Sequence, residues 1–524
     1  MDYSYGENIQ HPHPRMLGIE FGSTRIKSVL IDSSYQTVAS GDYTWKSNLV
    51  NGIWTYSLEE VWQGLRQSLS KIGQRDQICA AGISGMMHGY LAFDQDWNLL
   101  VPFRTWQNTI TGEAAEKLTD LFGFNIPQRW SIAHLYQAIL NQEPHIQKIA
   151  HITTLAGYVH FMLTGENCVG IGEASGIFPI DSNTCDYDAK MLATFDAITD
   201  SFPWKLRDLL PRVLVAGQPA GRLTNHGQAL LENMLTAGIP FAPPEGDAGT
   251  GMVATNAVAP RTGNVSAGTS IFSMVVLERP LVKIYPEIDL VTTPAGAPVA
   301  MVHCNNCTQD MNAWAGVFQE LLSAFGAHVN PGELFSRLYQ MSLAGDADCG
   351  GVTVINYLAG EGITHFDDGR PLVIRTPQSQ FSLANFLRAQ LYSTMATLKI
   401  GMDLLSAERV RIDVLLGHGG LFKTPVVGQR YLAAACGVPV TCMETAGDGG
   451  PYGMALLVSY MMQKGENETL SDYLKNQVFV NTPLHTIEPS PEDMEGFSQY
   501  LSCFHNALAV EKAAAEAMPL CDAL

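Results

Sequence analysis

The chain opens with three short segments in which apolar residues dominate and polar residues mark the breaks. The segments are MLGIEF (16–21), IKSVLID (26–32) and YQTVASGDY (35–43). Runs of this length, rich in β-branched and aromatic residues and bounded by glycine and polar clusters, are typical of strands. We therefore predict two strands joined by a tight turn, followed by a third.

The next segment changes from strand spacing to helix spacing. SLEEVWQGLRQSLSKIG (57–73) repeats its apolar residues every three to four positions, and Ser57 and Glu60 match an N-cap and its capping-box partner. ICAAGISG (78–85) then predicts a buried strand that ends in a glycine turn. Residues 110–230 have more helix-like patterns. The alternation predicts an α/β fold.

A Pro/Gly-rich stretch at 237–258 predicts a domain boundary or hinge. A second strand–turn–strand block, TGNVSAGTSIFSMVVLE, follows at 262–278. Placed under the first block without a gap, it sets Gly268-Thr269-Ser270 on Gly22-Ser23-Thr24, and Met274–Leu277 on Ser28–Ile31. The offset is far longer than a solenoid period. Two related domains explain the pattern, with chance similarity as the alternative.

We therefore predict a tail over 1–15, an N-terminal domain over 16–257 and a C-terminal domain over 258–524.

Hydrophobic residues make up 46% of the 524 positions and charged residues 16%, which excludes a disordered chain. The net charge of −20 argues against a nucleic-acid partner. The start of the chain lacks a signal peptide and the longest apolar run is too short to span a bilayer, so we expect a cytoplasmic protein with no membrane partner.

Ten cysteines are present, most of them isolated. The pair Cys304 and Cys307 has CxxC spacing but no second pair nearby, so reduced core thiols are favoured over a zinc or redox site.

The two turn segments have the composition of phosphate-binding loops. Glycine lets a ligand approach the backbone, turn amides can point at an anion, and hydroxyls add donors. Two such turns facing each other across a cleft would hold a triphosphate. Glu20 at the end of the first strand would reach Mg²⁺ through water, or would simply cap or pair at a strand end. Lys27 is either a solvated strand residue or a phosphate contact.

Two further glycine-rich loops lie late in the chain. Gly417, Gly419 and Gly420 stand between a predicted strand and helix, and AGDGG (446–450) precedes another helix. Neither matches the P-loop or GxGxxG patterns. Such loops accept phosphate or the face of an adenine.

Asp247 lies between Gly246 and Ala248 in the predicted boundary stretch. A carboxylate there can accept the proton of an attacking hydroxyl during phosphoryl transfer, or can cap the following helix. Glu245 is the second candidate for the base.

The segments SGMMHGY (84–90) and RTWQN (104–108) contain groups suited to a neutral polyhydroxylated ligand. His88 could hydrogen-bond a polyol or be a satisfied core residue. Trp106 offers a wall, and the side-chain amide of Asn108, like that of Gln107, both donates and accepts hydrogen bonds.

These segments, in this order, resemble the FGGY carbohydrate kinases of the actin-like ATPase superfamily, over roughly 16–460. The opening hairpin is similar to G-I-D-x-G-T-x-S-x-K, and SGMMHG to the S-G-Q-M-H-G of xylulose kinases. GDAGTGMVATNAV resembles the segment that carries the family's general base. SAGTS resembles the second phosphate loop, NYLAGEG the family's P-Y-L-x-G-E-R, and GHGGLFKTPVVGQRYLAAACGVPV the adenosine-binding segment.

The resemblance implies an α/β fold of two related actin-like (ribonuclease H-like) domains with a cleft between them. It implies ATP-dependent phosphorylation of a terminal hydroxyl of a ketose, xylulose first, with ATP and Mg²⁺ required. It implies Asp247 as base and Glu20 as metal residue. Cofactor contacts would be Gly22, Ser23, Thr24, Lys27, Gly268, Thr269, Ser270, Gly419, Gly420, Gly447 and Asp448. Sugar contacts would be Met87, His88, Trp106, Asn108 and Asp247.

Departures from the family pattern lie mostly on the sugar side. Glu20 replaces the metal-site Asp, Met86 the Gln of Q-M-H-G, and Gly362 an Arg. Asn108 and Ile110 stand where relatives have an acid and a base.

These departures leave other substrates open, namely a ketohexose, a deoxyketose or a polyol. They also leave open a non-catalytic sensor that binds ATP and a sugar. A filament or chaperone ATPase fits the duplicated hairpins but not the sugar-type segments. A homodimer is an expectation from the resemblance alone.

Overall fold

The computed structural model describes residues 14–73, 75–443 and 449–519. These residues form two compact units. The first unit contains those within 1–258, 290–299 and 448–481, and the second those within 259–289, 300–447 and 482–524. The domain boundaries drawn from the sequence stay predictions.

The elements up to residue 258 alternate short strands with helices. The strands are β1 Arg15–Phe21, β2 Arg25–Ile31, β3 Thr37–Thr44, β4 Asn48–Val50, β5 Ile53–Thr55, β6 Ile78–Gly85, β7 Leu91–Phe93, β8 His151–Thr153, β9 Cys168–Gly170, β10 Ile180–Asp181, β11 Asp186–Tyr187, β12 Arg212–Leu214 and β13 Glu245–Gly246. The helices are α1 Leu58–Ser70, α2 Gly112–Phe122, α3 Ser131–Leu140, α4 Leu155–Thr164, α5 Ile171–Ala174, α6 Ala189–Ile198, α7 Leu206–Leu209, α8 Asn225–Leu230 and α9 Asp247–Ala254.

The elements after residue 258 continue both units. The strands are β14 Thr262–Ala267, β15 Ile271–Val276, β16 Ile288–Thr292, β17 Pro298–Cys304, β18 Thr353–Ile355, β19 Leu372–Ile374, β20 Val414–His418, β21 Val440–Met443 and β22 Leu484–Ile487. The helices are α10 Gln309–Ala324, α11 Pro331–Ser342, α12 Leu383–Ala407, α13 Val427–Cys436, α14 Gly449–Gln463, α15 Leu470–Tyr473 and α16 Pro491–Ala517. Short 3₁₀ turns span Arg75–Gln77, Pro144–Gln147, Cys349–Gly351, Gly362–Thr364 and Gly420–Lys423, and a π-helical turn spans Leu474–Val478.

The first unit is built on a sheet with the strand order β13-β6-β1-β2-β3. Strand β1 is antiparallel to β2 and parallel to β6, and β13 is parallel to β6. The register places Glu20 beside Lys27 on one side and Ser84 on the other, with Glu245 next to Ser84. Because parallel strands end at the same edge, three segments distant in sequence deliver polar residues to one place.

Helix α14 packs on this sheet and on α9 through backbone-to-backbone contacts. A Cβ placed on Gly18 of β1 would lie 1.9 Å from the carbonyl oxygen of Pro451, and one on Gly453 would lie 1.9 Å from that of Thr250. No real side chain tolerates such distances, so glycine is required at both positions for the helix to lie this close.

Helix α1 begins as its sequence predicts. The side chain of Ser57 accepts hydrogen bonds from the amides of Glu59 and Glu60. The Glu60 carboxylate accepts a hydrogen bond from the Tyr43 hydroxyl on the neighbouring strand, at 3.2 Å. The helix thus buries Leu65 and its apolar face under the sheet while a polar contact ties its first turn to β3.

The second unit repeats the hairpin and its parallel neighbour. In the sheet order β16-β17-β15-β14-β20-β21-β22, β14 is antiparallel to β15 and parallel to β20. Four residues separate the last pair of the first hairpin, Phe21 and Ile26, but three separate Ala267 and Ile271. The shorter turn shifts everything after it by one position.

The gapless sequence alignment is therefore wrong beyond the turn. The structural counterpart of Ser28 is Ser273, not Met274, and both serines are buried. By the same shift Lys27 corresponds to Phe272, while Glu20 corresponds to Ser266 before the turn. The acid–base pair of the first hairpin thus has no equivalent in the second.

Cys304 and Cys307 are both buried, and neither forms a disulfide. Among the described residues, no helix combines the length and apolar character that crossing a bilayer requires.

Candidate active site

Asp247 is the first residue of α9, directly after the two-residue strand β13. Its Oδ1 accepts hydrogen bonds from the amide of Met87, at 3.1 Å, and from that of Ala248, at 2.9 Å. Burial raises the pKa of Asp247, and these amides oppose the shift. The side chain therefore lies at the sheet edge with one oxygen held by peptide groups, which leaves the other for a ligand.

Glu20 lies at the end of β1, against the first turn of α14. A Cβ placed on Gly450 would lie 2.5 Å from Oε1 of Glu20, so the carboxylate lies directly against the helix backbone there. The pKa of Glu20 is raised to about 7, first by burial and then by the negative charge of Asp247, while Lys27 opposes the shift. Each of these carboxylates disfavours ionisation of the other, so a cation bound near them would stabilise both in their charged forms.

This donor set fits Mg²⁺. Oxygen is the ligand that the ion prefers, and Mg²⁺ at phosphate sites usually takes one or two carboxylates while keeping several waters. Glu20 is one such carboxylate. In the described part of the chain, no three His, Cys, Asp or Glu side chains form a metal-binding cluster, so a caged metal site is not built there.

Two further acids lie beside Asp247. Glu245 is fully buried and accepts hydrogen bonds from the amides of Glu173, at 2.9 Å, and Gly172, at 3.4 Å. Its pKa is raised to about 8 by burial, against the effect of those amides. Both oxygens of Glu245 accept hydrogen bonds from backbone amides, so the side chain links α5 to β13. Neither oxygen is left for a substrate hydroxyl, and the geometry therefore favours Asp247 as the base.

Glu173 is a buried acid that the sequence analysis did not single out. A Cβ placed on Gly246 would lie 2.6 Å from its Oε2, so it packs directly behind the residue that precedes Asp247. Neither oxygen makes a hydrogen bond of good geometry. Burial chiefly, then the charges of Glu245 and Asp247, hold its pKa well above the usual range, although the Thr154 side chain opposes them. A lone Glu in the small-residue run GIGEASG was the available signal.

The turn Gly22-Ser23-Thr24 is held from behind by aromatic side chains. The Trp45 indole donates to the Gly22 carbonyl at 2.7 Å, and the Tyr56 hydroxyl donates to the Ser23 carbonyl at 2.7 Å. The amide of Trp45 donates to the Thr24 carbonyl at 3.1 Å. All three carbonyls are thus used by the framework, which fixes the orientation of the peptide groups in the turn.

Trp106 joins this turn to the predicted sugar side. Its indole N–H lies 3.3 Å from Oγ of Ser23, and its ring is partly exposed. The structure therefore brings the candidate sugar wall and the candidate phosphate turn together in one unit.

Met87 and His88 follow β6 and lie at the same sheet edge. A Cβ placed on Gly246 would lie 3.0 Å from Cγ of Met87, so Met87 contacts the backbone before Asp247. His88 has a φ of 71°, and its ring stacks on Trp130 with 6.3 Å between centroids. The positive φ directs the imidazole toward Trp130 and the Gly176 carbonyl, which lies 3.4 Å from Nδ1.

Asn108 is buried, and its side chain is engaged by backbone groups. Its Nδ2 donates to the carbonyls of Trp54, at 2.9 Å, and Thr105, at 3.0 Å, while its Oδ1 accepts from the Trp54 amide at 2.8 Å. These bonds tie the β4–β5 hairpin to the segment that carries Trp106. The arrangement favours a supporting role over a direct contact with a sugar.

In the second unit, the turn Gly268-Thr269-Ser270 closes with a hydrogen bond of 2.9 Å from the Gly268 amide to the Ser270 carbonyl. The Gly268 carbonyl accepts from Oγ1 of Thr308, at 2.8 Å, at the start of α10. Thr308 is a supporting residue that the sequence analysis missed.

Gly419 lies beside this turn. It has a φ of 95°, and a Cβ placed on it would lie 2.5 Å from the carbonyl oxygen of Ala267. Gly420 follows and begins a 3₁₀ turn. The structure thus brings Gly268 and Gly419 together, whereas Gly447 and Asp448 lie outside the described residues.

Comparison with known proteins gives two family matches that together span most of the chain. The model for the N-terminal domain of the FGGY family of carbohydrate kinases matches residues 15–254, and that for the C-terminal domain matches residues 263–462. The xylulose kinase of Haemophilus influenzae is 21% identical over 483 residues, which is 87% of this chain and 92% of that protein.

Solved structures share the fold at low identity. A ligand-bound xylulose kinase from Lactobacillus acidophilus has a TM-score of 0.78 at 15% identity, covering 96% of this chain and 99% of its own. A gluconate kinase from the same organism has a TM-score of 0.79 at 16% identity, covering 96% and 98%. These matches confirm the predicted two-domain, actin-like fold.

Proposed function

Because the chain belongs to the FGGY family of carbohydrate kinases, we propose that it transfers the γ-phosphate of ATP to a terminal hydroxyl of a ketose, with xylulose or a similar ketopentose as the first candidate. The observation that carries the proposal is Asp247, which is partly exposed at a sheet edge with one oxygen held by two amides. The xylulose kinase of Haemophilus influenzae, which is similar along most of the chain, supports the choice of sugar.

Asp247 acts as the general base in this proposal. Oδ1 stays bonded to the amides of Met87 and Ala248, and Oδ2 accepts the proton of the attacking hydroxyl as the O–P bond forms. Such positioned proton transfer typically contributes 10²- to 10⁴-fold in rate. The raised pKa of the carboxyl strengthens it as a base.

Glu20 would hold Mg²⁺, with water between carboxylate and ion. When bound, the ion neutralises charge on the transferring phosphate. The positive charge would offset the repulsion between the carboxylates of Glu20 and Asp247. Lys27, which pairs with Glu20 across the hairpin, adds a second positive charge on the same face of the sheet.

The phosphate and nucleotide contacts are assigned by motif and by position at turn ends. In the first unit the Gly22 amide donates to the Arg25 carbonyl at 3.0 Å and the aromatic framework holds the turn carbonyls. The proposed donors to the phosphates are therefore the amides and hydroxyls of Ser23 and Thr24. In the second unit Gly419 lies against Ala267, the residue before Gly268. The proposed contacts are Gly22, Ser23, Thr24, Lys27, Gly268, Thr269, Ser270, Gly419, Gly420, Gly447 and Asp448.

Met87, His88 and Trp106 are the proposed sugar contacts, with Asp247 at the reacting hydroxyl. Asn108 supports Trp106 from behind through its backbone bonds. Met87 is apolar, and Trp106 offers an aromatic face and an indole N–H donor, which suits a neutral polyhydroxylated substrate.

A panel of ketopentoses, ketohexoses, deoxyketoses and polyols assayed with Mg-ATP tests the proposal. We expect turnover with a ketopentose, with the highest kcat/KM of the panel. Asp247→Asn should reduce this turnover by roughly 10²- to 10⁴-fold. The same panel in a calorimeter detects binding without turnover. No phosphorylation of any sugar, with ATP binding intact, would support the sensor alternative and overturn the kinase assignment.

A further inference from the structure

The turn at 268–270 in the second unit is held by the segment that joins β17 to α10. Oγ1 of Thr308 donates to the Gly268 carbonyl at 2.8 Å, and the amide of Thr308 donates to the same oxygen at 3.3 Å. The Cys307 thiol also lies against the backbone of Gly268. The position of the turn therefore depends on how firmly this segment, residues 305–308, is held in place.

Asn306 connects the segment 305–308 to the chain that follows β18. Its side chain is buried, and Oδ1 accepts hydrogen bonds from the amides of Leu358, at 2.9 Å, and Ala359, at 3.0 Å. Nδ2 donates to the Ala359 carbonyl at 3.1 Å and to Oε2 of Glu361 at 3.1 Å. One buried amide thus makes four hydrogen bonds across two segments that are about fifty residues apart in the chain.

Glu361 is the charged partner in this connection. It belongs to the segment NYLAGEG, to which the proposed function assigns no role. Its side chain is buried, and Oε2 also accepts a hydrogen bond from the amide of Asn306 at 3.2 Å. Burial raises the pKa of Glu361 to about 7, and the bonds to Asn306 are the largest effects that oppose the shift. Because hydrogen bonds to a carboxylate are about twice as strong as those between neutral groups, the pair holds the segment firmly.

The neighbours of Asn306 in the segment are held as well. The Cys307 carbonyl accepts from Nδ2 of Asn356, at 2.8 Å, and from Oγ1 of Thr394 in α12, at 3.1 Å. Nδ2 of Asn305 donates to a backbone carbonyl at 2.8 Å. Each of the four residues of the segment thus takes part in at least one side-chain hydrogen bond, and all of these bonds lie within the second unit.

Holding the Gly268 carbonyl has a consequence for the next residue. The Gly268 carbonyl and the Thr269 amide belong to one planar peptide group, so a fixed oxygen also fixes the direction of the N–H. Thr269 is exposed to solvent. Turn amides that are already fixed bind an anion better than mobile ones, because fewer groups become ordered on binding.

We propose that Asn306 and Glu361 are positioning residues for the nucleotide. Acting through Thr308, they hold the Gly268 peptide so that the Thr269 amide points at a phosphate of ATP. The inference rests on the proposed function, which assigns this turn to the phosphates. Neither Asn306 nor Glu361 contacts the nucleotide, and their effect is on the affinity for ATP and not on that for the sugar.

Calorimetric titration of the full chain with ATP and Mg²⁺ tests the proposal. Thr308→Val removes the hydroxyl and should raise the Kd for ATP roughly threefold to tenfold, the equivalent of one hydrogen bond. Thr308→Ser keeps the hydroxyl and should recover the affinity. Thr262→Val is the matched control, because it removes a hydroxyl that donates to the Ala259 carbonyl at 2.7 Å at the other end of β14. It should leave the Kd unchanged.

Asn306→Asp tests the connection to Glu361. The variant keeps Oδ1 but places a second carboxylate against Oε2 of Glu361, and should raise the Kd for ATP by a similar factor. Asn385→Asp is its control, because Nδ2 of Asn385 likewise donates to a carboxylate, that of Asp346, at 2.9 Å, and to the Gln380 carbonyl at 2.8 Å. Both variants should lower the melting temperature, but only Asn306→Asp should alter the Kd.

The double variant Asn306→Asp, Thr308→Val shows whether Asn306 acts through Thr308. It should bind ATP no more weakly than the weaker of the two single variants, because both changes release the same peptide group. Additive effects, an unchanged Kd in either single variant, or an altered Kd in a control would overturn the inference. A parent chain that binds ATP but phosphorylates no sugar would overturn the proposed function alone, and one that binds no ATP would overturn both.

Discussion

The amide of Met87 donates a 3.1 Å hydrogen bond to Oδ1 of Asp247, and so links the loop after β6 to the start of α9. The bond joins two segments that are 160 residues apart in the chain. The donor is a peptide N–H, which does not titrate, so the bond holds the carboxylate at any pH. The position of the proposed base is therefore set by the backbone of the loop that follows β6.

Asp247→Asn should lower kcat by roughly 10²- to 10⁴-fold, because the amide cannot accept the hydroxyl proton. The variant keeps an oxygen for the Met87 amide, so the melting temperature and the Kd for ATP should change little. Steady-state kinetics and calorimetry measure these quantities. Asp200→Asn, at an exposed carboxylate of the same unit, is the control. A variant that retained most of its activity would show that another group takes the proton.

Glu20→Asp should retain activity within about tenfold, a barrier change of about 1.4 kcal/mol, because one bridging water can span the lost methylene. Glu20→Gln keeps the length but removes the charge, and should cost more. The measurement is kcat and the Mg²⁺ concentration for half-maximal rate. If the Asp variant were inactive and the Gln variant were not, side-chain length and not charge would determine the role of Glu20.

Asn108→Asp should destabilise the protein without improving catalysis. The carboxylate would face the carbonyls of Trp54 and Thr105, to which the amide now donates, and would replace two hydrogen bonds with repulsion between oxygen atoms. We expect a loss of about 1–3 kcal/mol in the free energy of unfolding. Chemical denaturation measures it. A changed KM for the sugar with unchanged stability would instead indicate that Asn108 contacts the substrate.

Glu245→Gln should alter the pH dependence of stability. The carboxyl has an ordinary pKa of 4.5 and about 8 in the folded protein, so its neutral form is favoured by folding. Its contribution to stability is full below about pH 4.5 and is lost as the pH rises toward 8. The melting temperature of the variant relative to the parent should therefore increase from pH 5 to pH 8.

Glu116→Gln, at an exposed position of the same unit, is the control for that experiment. Glu20, whose pKa is raised by burial and by Asp247, contributes equally to the parent and to both variants. Glu245→Gln also removes one of the charges that raise the pKa of Glu173, which changes the pH dependence in the same direction. A constant difference in melting temperature across this pH range would mean that Glu245 is ionised in the folded protein.

The strands of both hairpins could be predicted because their patterns are local. Apolar runs such as 16–21 and 78–85 lie within a residue or so of the observed strands, and Ser57 caps α1 as its neighbours require. The register after the second turn could not be predicted. A three-residue turn replaces a four-residue one, and turn length leaves little trace in the apolar pattern.

The role of Asn108 was equally hidden. An amide has the same composition whether it serves a sugar or a peptide group, and only the fold places Trp54 beside it. Glu173 belongs to no recognisable sequence motif. Its place near the site depends on packing against Gly246, which is distant in the chain.

The sequence by itself determined the hairpins, their glycine and hydroxyl turns, and the family to which they belong, since these depend on residues close together in the chain. Only the tertiary structure decided which acids share an environment. Glu20, Glu173, Glu245 and Asp247 meet because parallel strands end at one sheet edge and α5 and α14 pack there. Burial then raises the pKa of each of these acids, and the extent of burial is a property of the folded chain.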